Sequence, residues 1–216
     1  MPAMKLEGER WRTLVSNVRL GKDEYRVVQP VRPPKHAPLY EGYAGVESCV
    51  DKEGARTVAM AWEIAMRSPR TLVHLPLRQS DPRCSWSDGP FLDLVLMHHS
   101  LGFRLSKWKD VRARLRGGRP HTFDCRGFRP VDDYDWRYDR ENRDLLRGEI
   151  VGETAFVVGS ARAFNFEGLR LQDLVEDGPR QMHEDPGMHC CAEITESLWH
   201  WKWLHVVYCE EHRVHA

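Results

Sequence analysis

The sequence lacks any apolar run long enough to cross a membrane. Its longest oily stretch, residues 91–97, is already interrupted by Asp93, whereas a transmembrane helix needs about 18 or more consecutive apolar residues. The N-terminal segment also lacks the apolar core that a secretory signal peptide carries. We therefore expect a soluble, cytoplasmic protein with no membrane contact.

The chain has no net charge, because 32 Lys and Arg residues balance 32 Asp and Glu residues. This balance argues against the strongly basic surface of proteins that coat nucleic acids. The sequence contains no P-loop, no Gly-x-Gly-x-x-Gly, no Cys-x-x-Cys pair and no fixed-period repeat. Nucleotide-binding loops, zinc-finger knuckles and solenoid architectures are therefore not indicated.

What the chain does have is enough length for an ordinary hydrophobic core. Its 216 residues are 41% hydrophobic and 30% charged, which is typical of a globular protein that needs no disulfide or metal cross-links. Six cysteines are present, and the adjacent pair Cys190 and Cys191 is awkward for regular disulfide pairing. We expect reduced thiols and a single globular domain over residues 1–216.

The N-terminal part predicts a hairpin followed by a connecting arm. Two stretches rich in β-branched residues, 11–20 and 25–31, flank a turn at Gly21. Four prolines then predict a Pro-rich connecting arm over residues 30–39, because proline restricts the backbone and removes a hydrogen-bond donor.

Helical spacing recurs in the next part of the chain. Apolar residues at that spacing predict a helix over 58–66, a second over 90–98 after a Ser-Asp-Gly-Pro start, and a third over 106–115 capped by Ser106. Residues 71–77 predict a short buried strand that Pro76 places at an edge or an end.

The second half of the chain is more β-rich. Strands are predicted at 121–125, 149–158 and 162–166, a short helix at 139–147, helical turns at 171–175 and a loop at 181–187. Residues 192–215 fit both a helix and a strand, and the β-branched and aromatic composition of 203–208 favours the strand. These elements predict an α+β fold: one domain with a mostly antiparallel sheet against two or three helices.

The C-terminal end concentrates cysteine and histidine, the side chains that zinc prefers. A metal site there would use His189, Cys190, Cys209 and His212, with a bound Zn²⁺ activating a water and Glu193 or Glu210 as general base. The same residues could form a thiol–histidine nucleophile. Alternatively, the cysteines are small buried hydrophobes and the histidines solvated.

A basic segment over residues 104–119 contains a single acid, Asp110. On a helix its cations would align beside the apolar stripe and could bind phosphate, a nucleic acid or an acidic partner. The alternative is a solvated helix face. The candidate cations are Lys109, Arg112, Arg116 and Arg119.

The remaining candidate sites are an aromatic cluster, an acidic run and a histidine. Trp199, Trp201 and Trp203 alternate and could form an aromatic interaction surface, although such residues also occur in cores. The acidic run 132–135 lacks calcium-loop spacing and indicates a surface loop, and His98 fits a hydrogen-bonded core histidine.

Two function classes stay open. The first is an intracellular binding or accessory protein, of the inhibitor or immunity type, that acts on a protein partner through its tryptophan-rich and charged surfaces. The second is a small enzyme with a metal or thiol site at the C-terminal end, with Zn²⁺ as the implied cofactor. A phosphate-containing ligand or nucleic acid at the basic segment is a further alternative.

Overall fold

The chain adopts an α+β fold. The computed structural model describes residues 5–42, 45–82, 90–132, 139, 144–194 and 204–209. In chain order, the strands and helices of these residues are β1 (Arg10–Leu20), β2 (Asp23–Pro30), β3 (Leu39–Glu41), β4 (Val46–Val50), α1 (Lys52–Arg67), β5 (Thr71–Leu75), β6 (Asp93–His98), α2 (Trp108–Ala113), β7 (Arg119–Asp124), β8 (Arg147–Val151), β9 (Thr154–Gly159), α3 (Ala161–Glu184), β10 (Cys191–Ile194) and β11 (Leu204–Tyr208).

Seven strands form one mixed sheet in the order β7-β1-β2-β5-β6-β9-β8. Strand β2 pairs in parallel with β5, and β6 pairs in parallel with β9. The connection from β2 to β5 contains β3, β4 and α1, and the connection from β6 to β9 contains α2, β7 and β8; parallel pairing requires such long connections. The predicted α+β class is confirmed, but the prediction of a mostly antiparallel sheet is wrong, since both sheets of this fold are mixed.

The smaller sheet has four strands in the order β10-β11-β4-β3. Strand β11 is antiparallel to β10 and parallel to β4. Alternate residues point to opposite faces, so one face buries Val46, Val50, Leu204 and Val206. The opposite face carries the alternate set, which includes His205.

Helix α1 lies between the two sheets, since it contacts β5 and β6 of the larger sheet and β4 and β11 of the smaller one. The side chain of Asp51 caps its first turn by accepting a hydrogen bond from Gly54 N at 2.7 Å. Helix α3 packs along α1, where the rings of Trp62 and Phe164 lie 5.1 Å apart in an edge-to-face arrangement. This layer contains most of the core.

A second core covers the other face of the seven-stranded sheet. Trp108 and Val111 of α2 are buried there together with Phe156 of β9 and Phe103. The Trp108 and Phe156 ring centroids are 6.0 Å apart. The larger sheet is therefore buried on both faces, which explains the unbroken burial of strands β5 and β6.

The N-terminal hairpin, the helix over 58–66 and the strand over 121–125 are confirmed. Gly21 makes the hairpin turn with a φ of 63°, a conformation that favours glycine. The arm between β2 and β3 is irregular, as predicted. Strand β5 is confirmed at 71–75, but it lies in the middle of its sheet and not at an edge.

The helix predicted over 90–98 is wrong, because β6 occupies Asp93–His98. A strand buried on both faces has no polar alternation, so its apolar residues also fit helical spacing. The helix predicted over 139–147 is also wrong in the described residues 144–147, where an irregular stretch leads into β8.

The helical turns predicted at 171–175 are confirmed within helix α3, whereas the strand predicted at 162–166 is wrong and the loop predicted at 181–187 is wrong for residues 181–184. The helix continues through Pro179 to Glu184. Gly168, Gly178 and Pro179 are unfavourable inside a helix, but tertiary packing of the buried face of α3 outweighs these local preferences.

Two observations bear on the predicted environment of the protein. Cys49 is disulfide-bonded, so the expectation of reduced thiols is wrong for this residue; its partner lies outside the described residues. Among the helices of the described ranges, none is both long and apolar enough to span a membrane.

Candidate metal centre

Three potential metal ligands meet on the face of the four-stranded sheet that carries His205. The ligand atoms of His189, Cys191 and His205 all lie within 4.8 Å of one another. The Nε2 atoms of His189 and His205 are 3.3 Å apart. His205 is buried, Cys191 is half-buried and His189 is exposed, so the cluster is open towards solvent on one side.

The register of two strands brings these residues together. Cys191 and Glu193 are two residues apart on β10 and therefore share a face. Glu193 lies directly opposite His205 on β11, which makes Cys191 the diagonal neighbour of His205, a separation that side chains can span. His189 reaches the same point from the segment just before β10.

The pKa shifts of His205 and Cys191 determine which protonated forms a metal ion would meet. Burial lowers the pKa of His205, and the neighbouring His189 lowers this pKa further, whereas Glu193 and Glu47 oppose the shift. The neutral imidazole, which can donate a lone pair to a metal, is therefore favoured. Burial, followed by the charges of Glu193 and Cys190, raises the pKa of the Cys191 thiol, and a bound cation would reverse this by stabilising the thiolate.

One of the distances between the candidate ligand atoms fits a tetrahedral zinc ion. With Zn–N bonds of about 2.0–2.1 Å and Zn–S bonds of about 2.3 Å, tetrahedral nitrogen ligands lie about 3.3–3.4 Å apart and a nitrogen and a sulfur about 3.6 Å apart. The 3.3 Å between the two imidazole nitrogens matches the first value. All three ligand atoms lie within 4.8 Å of one another, so an adjustment of about 1 Å would bring the sulfur to its tetrahedral distance from the nitrogens.

A carboxylate and a cleft adjoin the cluster. The Sγ atom of Cys191 lies 4.0 Å from Oε1 of Glu193. Both residues also line a cleft of about 320 Å³, whose lining includes Asp173 and Asp177 of α3. A carboxylate at this distance can accept a proton from a group bound at the cluster.

The sequence and the structure select different ligands from the same region. His189 belongs to the cluster, whereas Cys190 does not: its Sγ donates to Oε1 of Gln181 at 3.3 Å in a buried position. Cys209 follows β11 and lies outside the three-residue cluster. His212 and the alternative base Glu210 lie outside the described residues.

Two residues of the cluster, Cys191 and His205, were not among the ligands predicted from the sequence, and the strand interpretation of residues 192–215, extended back to Cys191, would have indicated them. On a strand, Cys191 and Glu193 share a face and Cys190 takes the other one. Pairing of two such strands then selects Cys191 over Cys190.

The cations of the basic segment do not share one helical face, because α2 ends at Ala113. Lys109 and Arg116 are exposed, and Arg119 is the first residue of β7. Arg112 instead turns inward, 3.5 Å from Oδ2 of Asp93 and 3.8 Å from Glu153.

A buried charge network around Asp93 was not apparent in the sequence. The side chains of His74 and Asp93 are each only 4% exposed, and His74 Nε2 lies 3.5 Å from Asp93 Oδ2. Arg78 Nε lies 3.2 Å from the same oxygen, and Gln29 Nε2 lies 2.9 Å from the other ring nitrogen of His74. The network joins β2, β5, β6 and α2, and the near balance of charge indicates a structural role.

Burial governs the titration of this network. Burial lowers the pKa of His74, which the neighbouring Asp93 only partly offsets. Burial alone would raise the pKa of Asp93, but donors from His74 and Arg78 outweigh it and lower that pKa. The ionised form of Asp93 and the neutral form of His74 are thus the stable pair near neutral pH.

The remaining candidates give no further site. The three tryptophans of the predicted aromatic surface, Trp199, Trp201 and Trp203, lie outside the described residues, as does most of the acidic run, so the protein-contact interpretation stays a prediction. His98 lies at the end of β6, half-buried, and its Nδ1 is 2.8 Å from the Ser100 hydroxyl.

Comparisons of the chain with protein-family models, with curated proteins and with solved structures find no match. The function must therefore be argued from the site itself.

Proposed function

We propose that this protein binds a Zn²⁺ ion through His189, Cys191 and His205. The observation that carries the proposal is the convergence of two imidazole nitrogens and one thiol within 4.8 Å. This donor set of two nitrogens and one sulfur suits zinc, whereas calcium and magnesium prefer oxygen ligands.

Three protein ligands leave the fourth tetrahedral position for water, which is the arrangement of catalytic zinc sites. Zinc lowers the pKa of a bound water to about 7 and so supplies a hydroxide nucleophile near neutral pH. Glu193 is the candidate general base for this water, because its carboxylate lies 4.0 Å from the Cys191 sulfur. The protein would then be a small zinc-dependent hydrolase, with the adjoining cleft as the place for the substrate.

Metal content tests the first part of the proposal. Protein purified without added metal should contain about one zinc ion per chain by elemental analysis. The Cys191→Ser variant should lose it, whereas the neighbouring Cys190→Ser variant, the matched control, should retain it. Protein that contains no zinc and takes up none in a titration would contradict the proposal.

Cobalt substitution tests the open position. Co²⁺ in a tetrahedral site with one thiolate gives intense visible absorption and a sulfur-to-metal charge-transfer band, and Cys191→Ser should abolish that band. Added azide should shift the visible spectrum if water occupies the fourth position. A spectrum insensitive to azide would indicate a closed structural site and would contradict the hydrolase assignment while leaving zinc binding intact.

A further inference from the structure

A second cleft lies where β1, the end of β2 and the start of α1 meet. It has a volume of about 580 Å³, within the range of about 300–1,000 Å³ that small-molecule sites occupy. It shares no residue with the candidate metal centre. Its lining consists of Arg10, Trp11, Arg12, Pro30, Val31, Arg32, Asp51, Lys52, Glu53, Arg56, Thr57 and Met60.

Positive side chains dominate this lining. Among the described residues, Arg12, Arg32 and Lys52 have no ion-pair partner, and they come from β1, the arm and α1 respectively. The other two arginines of the cleft are each paired with an acid, Arg10 with Asp124 at 3.5 Å and Arg56 with Glu9. Three cations from three separate elements thus remain available to a ligand.

The two lining acids do not cancel these cations. Asp51 is engaged as the cap of α1, where Oδ1 accepts the hydrogen bond from Gly54 N. Glu53 is exposed in the first turn of the helix, where a carboxylate interacts favourably with the helix dipole. Against Arg12, Arg32 and Lys52, the lining therefore stays net positive.

The guanidinium group of Arg56 contains a hydrogen-bond donor that lacks an acceptor. Its Nε–H is buried and has no hydrogen-bond partner in the part of the chain that the structure describes. Leaving such a donor unsatisfied is unfavourable, and an anion in the cleft would provide an acceptor. The guanidinium contact with Glu9 uses a different nitrogen.

The cleft also has an apolar side. Val31 is 39% exposed, one of two large hydrophobic residues that are this accessible in the described chain. It lines the cleft with Met60 and Trp11, which are each only 5% exposed, so Val31 supplies the accessible apolar surface. A free inorganic anion would leave Val31 in water, whereas a ligand with an apolar or aromatic body would cover it.

We infer that this cleft binds a small molecule that carries a phosphate ester on an apolar or aromatic body. Arginine forks match phosphate oxygens, and a phosphate offers three oxygens to donors that arrive from three different directions. The concave shape and the apolar wall favour a small molecule over a nucleic acid strand.

Calorimetric titration with 1-naphthyl phosphate tests this inference, with inorganic phosphate and 1-naphthol as separate arms. We expect saturable one-to-one binding of 1-naphthyl phosphate, weaker binding of inorganic phosphate and weaker binding of 1-naphthol. Arg12→Gln and Arg32→Gln should each weaken 1-naphthyl phosphate binding about tenfold or more. Arg70→Gln, at an exposed arginine in the turn between α1 and β5, is the matched control and should bind like the original chain.

Three results would overturn the inference: no saturable binding of any probe, equal weakening in Arg70→Gln, or binding lost on Lys109→Gln and Arg116→Gln but kept on Arg32→Gln. Tighter binding of an oligothymidylate than of 1-naphthyl phosphate would overturn the small-molecule assignment. All substituted arginines and the lysine are exposed, so their variants should keep the melting temperature of the original protein.

Discussion

The indole Nε1–H of Trp62 donates a hydrogen bond to the backbone carbonyl of Phe164 at 2.9 Å. This contact joins α1 to α3 across the main core, where both residues are fully buried. It gives the largest core side chain a fixed orientation, because the indole can satisfy its donor in only one direction.

Replacing Trp62 with Phe should therefore cost about 2–3 kcal/mol in the free energy of unfolding, from lost volume and a lost hydrogen bond. Trp11→Phe is the control, since Trp11 is also buried but its indole has no hydrogen-bond partner among the described residues. Urea unfolding of both variants measures the difference, which should be about 1 kcal/mol in favour of Trp11→Phe. Equal losses would show that the hydrogen bond contributes nothing.

Two glycines of α3 should respond in opposite ways to alanine. A Cβ at Gly168 would lie 2.3 Å from Cε1 of the buried Phe128 ring, whereas a Cβ at Gly178 would meet Tyr208 at 3.4 Å, an ordinary contact. Gly168→Ala should destabilise the protein by about 1–2 kcal/mol through overpacking. Gly178→Ala should be neutral or stabilising by up to about 1 kcal/mol through helix propensity. Thermal unfolding distinguishes them, and a stable Gly168→Ala variant would contradict the packing argument.

The stability of the protein should fall as the pH drops below about 6.5, the ordinary pKa of histidine. Burial lowers the pKa of His74 in the folded state, so the unfolded chain binds a proton that the folded chain does not. This contribution is fully present above the unfolded pKa and is lost as the pH falls towards the folded one. Asp93, whose pKa is lowered, adds a second loss below about pH 4.

Urea unfolding at pH 7.5, 6.0 and 5.0 measures this dependence, with His74→Gln as the comparison. One proton contributes a slope of at most about 1.4 kcal/mol per pH unit, and the variant should lose that part of the slope. If His74→Gln keeps the original slope of unfolding free energy against pH, the pH dependence comes from other histidines and the prediction is wrong.

The sequence allowed prediction of the fold where local chemistry decides the structure. The hairpin turn at Gly21 needs a residue that tolerates positive φ, and the apolar residues of 58–66 recur at helical spacing, although α1 already begins at Lys52 behind the cap Asp51. Residues 93–98 were predicted as a helix and form a strand. Burial on both faces of the sheet removes the alternation of polar and apolar residues that distinguishes a strand. In α3, local signals at Gly168 and Pro179 opposed a helix that long-range packing against α1 stabilises.

The candidate metal centre was predictable only as a region. Composition indicated soft ligands near the C-terminal end and included His189, but spacing along the chain could not pair β10 with β11. That pairing decides that Cys191 rather than Cys190 faces His205. The charge network at Asp93 depends on four elements, and no local pattern joins His74 to Arg112.

The parallel pairing of β4 with β11 also governs the order of assembly. Val46 finds its partner Leu204 only after the whole larger sheet and α3 have been synthesised. Until then one side of β4 exposes unsatisfied backbone donors and acceptors, a template for intermolecular pairing. Nascent chains halted before residue 204 would thus keep this edge of β4 open, and the same missing strand carries His205, so the candidate zinc ligands would also be incomplete until β11 is made.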